Sequence, residues 1–156
     1  MTTLIPQDRI LHMHGVAEYM YREAGKYQLD PKRMYLLGLL HDVGYLQGTE
    51  GHEEAGAKMA EEAGYKDADL IRWHGAMPEA YMQAKGCDPS AIPKELLLLW
   101  EADLKVDHNG KDVGFQKRLE EIAKSLGKES KAYQECARKA EWLMKQYGIS
   151  STQSTT

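Results

Sequence analysis

At 156 residues, 42% apolar and 28% charged, the chain is long enough for one domain with its own core and too ordinary in composition for a fibrous or disordered protein. A net charge of −4 argues against a general nucleic-acid-binding surface but leaves room for a small phosphorylated ligand in a local basic pocket. Cys87 and Cys136 are the two cysteines, neither in a Cys-x-x-Cys, no basic-then-apolar leader opens the chain, and no apolar run approaches about 18 residues; a reduced, soluble, cytoplasmic protein with no membrane partner is expected.

Helical signals run along the whole chain, and no segment alternates at a two-residue period with β-branched residues, so the predicted fold is all-α. Asp8 reads as the N-cap of a first helix over 9–27, with Ile10, Val16 and Met20 facing inward. Asp30 and Pro31 form an N-cap and first-turn pair for a second helix reaching about 43. A glycine-rich loop over 44–51 follows, then a third helix over 52–63 with Gly64 as its stop. Asp67 caps a short helix ending near His74, Pro78 opens another that fades at Gly86, and 86–90 is a loop. Pro93 opens a helix over 94–106 in which Leu96 to Trp100 run consecutively, so almost every face is apolar. Two amphipathic helices finish the domain, one with a stripe of Val113, Leu119, Ile122 and Leu126, the other with Cys136, Ala140, Leu143 and Tyr147. The expectation is a single helical domain of seven or eight helices over 1–148, followed by a polar, disordered tail over 149–156.

The chemistry gathers around Leu36 to Tyr45. There an apolar run ends abruptly in His41-Asp42, with Gly44 two residues later as a place for the backbone to turn. A helix this apolar is buried on most sides, so its end carries an imidazole and a carboxylate into the interior. Such a carboxylate is costly unless a cation, donors or a metal meets it. A His–Asp pair that merely closes a helix C-terminus is the alternative reading of these residues. Among the six histidines, His12, His41, His52 and His74 fall where they can face inward, whereas His14 and His108 are expected at the surface. Asp103 shares a face with Leu99 and Trp100 on a helix with little solvated surface. Lys105 is read as solvated, and Asp107, one turn after Asp103, as a support for the site.

The ordered set Arg9-x-x-His12, Leu39-Leu40-His41-Asp42-Val43-Gly44 and Ala102-Asp103 resembles the HD-domain superfamily of metal-dependent phosphohydrolases, over roughly 9–106. The resemblance implies that His12, His41, Asp42 and Asp103 bind a divalent metal. His52 and His74 fall where the two-metal branch of the superfamily adds two histidines, which implies the six-ligand set His12, His41, Asp42, His52, His74 and Asp103, with Asp42 as the bridge. Imidazoles and carboxylates without thiolate suit Fe, Mn, Zn or Co, one ion or two. The activity implied is hydrolysis of a small phosphate ester or nucleotide by a metal-activated water, Asp42 and Arg9 being the catalytic candidates. Arg9, one turn before His12, is the leading phosphate contact, and Tyr45 a candidate substrate-binding residue. The chain departs from several nucleotidase branches in lacking an acidic residue just after the His-Asp pair; Glu50, Glu53 and Glu54 lie further on. A dinuclear-iron oxygenase of the same superfamily and a non-catalytic ligand-binding domain are the alternative functions.

Overall fold

The computed structural model describes residues 5–48 and 50–153. Its elements are α1 (Gln7–Glu23), α2 (Pro31–Leu40), α3 (His52–Glu62), α4 (Ala68–Arg72), α5 (Pro78–Lys85), α6 (Lys94–Lys105), α7 (Gly114–Leu126) and α8 (Lys131–Tyr147), joined by 3-10 turns at Ala24–Tyr27, Val43–Gln47 and Pro89–Ala91. Among the described residues there is no strand, only an isolated bridge between Val106 and Asp112. The fold is all-α, with eight helices among the described residues forming one bundle.

α6 is the shared wall of two apolar clusters. Leu98, Leu99 and Ala102 face Val16, Met20 and Leu37 of α1 and α2. Leu97, Trp100 and Leu104 face Tyr81, Phe115 and Leu143 of α5, α7 and α8. A helix packed on both sides must be apolar nearly all round, which is why five consecutive large residues occur here. Each of Leu98, Leu99 and Trp100 is fully buried, a contribution of about 2 kcal/mol per side chain from transfer alone.

Several local expectations need correction. Pro6, not Asp8, occupies the N-cap of α1, and the Asp8 carboxylate accepts from the neighbouring Arg9 N–H. Ile10 is 47% exposed, because its turn faces outward while Val16 and Met20 are buried. The Asp30 carboxylate does accept from Lys32 N–H, so the cap of α2 holds. That helix stops at Leu40, three residues short of the expected 43, and continues as the 3-10 turn. Leu126, the last residue of α7, is exposed. Lys105 is buried, its ammonium over the Phe115 and Tyr19 rings and 3.7 Å from Glu101. Of the tail expected over 149–156, Ile149 packs against the second apolar cluster and the Ser151 carbonyl accepts from Phe115 N–H at 2.9 Å; Ser154 to Thr156 lie outside the described residues.

Gly44 lies in the 3-10 turn, and its lack of a side chain serves close packing there rather than a left-handed conformation. Its φ is not in the left-handed region. A Cβ there would collide with the carbonyl oxygen of His52. The missing side chain lets the 3-10 turn lie against the start of α3, so the residue after His41 and the first residue of α3 come to one place.

Candidate metal centre

Five elements meet behind this contact. His12 lies mid-way along α1, His41 is the C-cap of α2 and Asp42 follows it, His52 opens α3, His74 follows α4, and Asp103 is near the end of α6. The structure brings all six side chains together. Oδ2 of Asp42 lies 3.2 Å from His41 Nε2, while its Oδ1 lies 3.2 Å from His74 Nε2 and 3.4 Å from His52 Nε2. Asp103 Oδ1 is 2.7 Å from His12 Nε2 and 3.5 Å from His41 Nε2. Two groups of donors are close enough to hold a metal ion, His12–His41–Asp42 and Asp42–His52–His74, and Asp42 belongs to both.

The second nitrogen of each imidazole is tied down outside the centre. Nδ1 of His41 donates to the Gly38 carbonyl and Nδ1 of His74 to the Ile71 carbonyl, both at 2.6 Å. His12 Nδ1 reaches the Asp107 carbonyl at 3.3 Å, and His52 Nδ1 lies 3.4 Å from the Glu53 carboxylate. These contacts tie each Nδ1 outside the centre and turn every Nε2 inward, as ligating histidines are usually held. Asp107 thus supports the site through its backbone; its carboxylate instead accepts from the Asn109 and Lys111 N–H groups.

The centre demands positive charge. His41 is fully buried, and its Nε2 makes no hydrogen bond although two carboxylates face it. Burial alone would lower the His41 pKa, but Asp42 and Asp103 outweigh it and raise it to about 10. Burial likewise pushes the Asp42 carboxyl up, and His41, His52 and His74 more than reverse this, holding it well below the usual carboxylate range. Asp103 is held low in the same way by His12 and His41. In the metal-free protein a proton on His41 meets the demand; a divalent cation between the imidazoles and carboxylates would meet it as well, and the donor set suits one.

Arg9 and Tyr45 stand at the rim. Arg9 Nη1 donates to Asp42 Oδ2 at 3.1 Å, and its guanidinium lies 5.1 Å from the Tyr45 ring centroid. Tyr45 also stacks on the His52 ring, with centroids 4.3 Å apart, so its ring is held against both an imidazole of the centre and the Arg9 guanidinium. Arg9 and Tyr45 line a cleft of about 640 Å³ together with Arg118 and Lys124 of α7.

Three residues here escape a reading of spacing alone. Glu53 lies against His52 and Gly75, where a Cβ at position 75 would strike its carboxylate, so an acidic side chain does reach the rim, though not from the stretch just after the His-Asp pair. Arg118 Nε donates to the Asp103 carbonyl at 3.4 Å and Nη1 to Glu121 at 2.5 Å. Lys139 of α8 is buried, with Nζ on the His74 carbonyl, and burial pushes its pKa down to about 8. Only the register of α7 and α8 could have flagged the last two. His14 and His108 take no part: their side chains are more than half exposed, near Glu18 and Glu121 respectively.

A family model described as HD domain matches residues 9–106, the span that holds all six converging side chains. No curated protein and no solved structure matches the chain.

Proposed function

Starting from the chain's membership of the HD-domain family, a superfamily of metal-dependent phosphohydrolases, we propose that it is a two-metal enzyme hydrolysing a small phosphate ester or nucleotide. The observation that carries this reading is the division of labour at Asp42. Its two oxygens face different histidine groups, Oδ2 toward His41 and Oδ1 toward His52 and His74. A carboxylate placed between two donor sets is what a bridged pair of cations requires. His12, His41 and Asp103 would complete one ion's set, and His52 and His74 the other's.

When bound, such a pair supplies Lewis acidity toward phosphoryl oxygens and an activated water. The chain's own residues do the rest. Arg9, anchored on Asp42 and 29% exposed in its side chain, directs the remaining guanidinium donors into the cleft, where they suit a phosphate in fork geometry. Lys124 lies along the same cleft, as does Arg118, which is paired with Glu121; the lining also carries Asp8. Glu53 lies 3.4 Å from the His52 ring and is the carboxylate we assign to proton transfer to a leaving oxygen.

The test combines metal analysis with turnover. EDTA-treated protein reloaded anaerobically with Mn²⁺, Fe²⁺, Co²⁺ or Zn²⁺ should bind two ions per chain and hydrolyse members of a panel of nucleotides, dinucleoside polyphosphates and sugar phosphates. Silence across that panel, with oxygen consumed by the Fe-loaded protein in the presence of a diol or aminophosphonate, would replace this reading with the oxygenase one.

A further inference from the structure

α4 spans only Ala68–Arg72, too short to hold its own end rigid. Yet His74, two residues beyond it, presents Nε2 to Asp42 at 3.2 Å. The backbone that carries this imidazole is gripped from outside. Trp100 of α6 donates its indole N–H to the Trp73 carbonyl at 3.1 Å. Lys139 of α8 donates from Nζ to the next carbonyl, that of His74, also at 3.1 Å. The ammonium lies 4.7 Å from the centroid of the Trp100 ring, so the two donors form one stacked unit across successive peptide groups.

Lys139 is 6% exposed. Among the described residues its Nζ has the His74 carbonyl as hydrogen-bond acceptor and no carboxylate at ion-pair distance. Burying an ammonium without a carboxylate partner is costly, and an apolar side chain of similar volume generally serves stability as well or better. The placement of this charge therefore points to geometry rather than to stability.

We infer that Lys139 is a positioning residue for the metal centre: through the His74 carbonyl it fixes the turn after α4 so that Nε2 of His74 meets the cation shared with Asp42 and His52. The inference rests on the two-metal reading. It gives α8, which lies beyond the span matched by the family model, a direct grip on the His74 side of the centre; the other donor set is carried by α1, α2 and α6, and the ammonium acts on it only through space, at Asp103.

The experiment compares wild type with Lys139→Met, Lys139→Arg and His74→Ala. Each EDTA-treated protein is titrated with Co²⁺ and with Mn²⁺, following heat, metal retained after gel filtration and, for Co²⁺, the visible spectrum. Wild type should bind two ions. Lys139→Met should keep one site and lose about tenfold or more in affinity at the other, the one that His74→Ala also weakens, the size typical of removing a group that orients a ligand. Lys139→Arg should keep both. Metal-free Lys139→Met should melt no lower than metal-free wild type. Unchanged affinity at the site that His74→Ala weakens, equal weakening of both sites, or a large fall in the melting temperature of metal-free Lys139→Met would each overturn the inference while leaving two-metal binding by wild type intact. A wild type that binds one ion or none would remove the two-metal reading itself, and the inference with it.

Discussion

Asp42 Oδ1 lies 3.2 Å from His74 Nε2 although the two residues are 32 positions apart and belong to different elements. The other oxygen of the same carboxylate faces His41. Asp42→Asn keeps the shape but replaces one oxygen with an amide that cannot ligate and lowers the charge of both donor sets at once. Metal content should fall from two ions to one or none, and hydrolysis to background. Retention of two tightly held ions in Asp42→Asn, measured by elemental analysis after gel filtration, would refute the bridging role.

The fold was legible where residue type and local structure agree. Asp30-Pro31, Gly64 and Gly86 marked helix ends that the structure places within a residue or two. The apolar run of α6 announced a helix packed on two sides. The six converging side chains were legible through the spacing of a resemblance, since no periodicity brings His74 to Asp42. What spacing could not show is what arrives from elsewhere in the chain. Arg118 and Lys139 sit on helices whose amphipathic pattern looks like any surface pair, and their reach into the centre depends on how those helices dock. Lys105 was misread for the same reason: a lysine late in a helix looks solvated until Phe115 and Tyr19 close over it. The turn at Gly44 is where the glycine suggested it, but what requires a glycine there is the steric contact with α3, which no local pattern shows.

That steric role is testable. In Gly44→Ala the new methyl meets the His52 carbonyl, and the 3-10 turn and α3 must separate. Overpacking of this kind costs about 1–3 kcal/mol. The displaced residue carries one of the imidazoles, so the variant should also lose affinity for the ion at His52 and His74, with the other ion less affected. Gly25→Ala is the control: nothing lies within 4 Å of a Cβ there and its φ is not left-handed, so stability should equal or slightly exceed that of wild type and metal content should not change. Equal behaviour of the two variants in urea melts and metal titrations would contradict the packing argument.

Arg9 touches Asp42 and opens onto the cleft, so its loss should be felt mainly by the substrate. A charge-assisted contact to phosphate is worth about 1.5–3 kcal/mol, which corresponds to roughly 10- to 100-fold in affinity. Arg9→Ala should therefore raise KM by about that factor while the enzyme still binds its metals. If the guanidinium instead meets the transferring oxygens only in the transition state, kcat falls and KM moves little. An Arg9→Ala enzyme with unchanged KM and unchanged kcat would remove Arg9 from the site.

The pH dependence of the metal-free protein follows from His41. Its folded-state pKa is raised from 6.5 to about 10, because the neighbouring carboxylates outweigh the effect of burial. Between these values the folded chain keeps a proton that the unfolded chain has released. The stabilisation is therefore complete below pH 6.5 and is lost progressively as pH rises toward 10. Lys139 acts in the opposite sense, since burial lowers its pKa from 10.5 to about 8 and its contribution to stability grows with pH above 8. Between pH 6.5 and 8 the histidine dominates. There the metal-free protein should lose stability with a slope that steepens from about half of 1.4 kcal/mol per pH unit at pH 6.5, where half of the unfolded chain still holds the proton, for a net loss of about 1 kcal/mol once the opposing contribution of Lys139 near pH 8 is included. His41→Gln should flatten this slope. A bound divalent cation should flatten or invert it, because it takes the place of the proton on Nε2 and competes with it. Urea denaturation of EDTA-treated protein at pH 6.5, 7.2 and 8.0, repeated with added Mn²⁺, measures all three. A metal-free stability that rises across this window would show that the carboxylates do not hold a proton on His41, and that the charge demand at the centre is met in some other way.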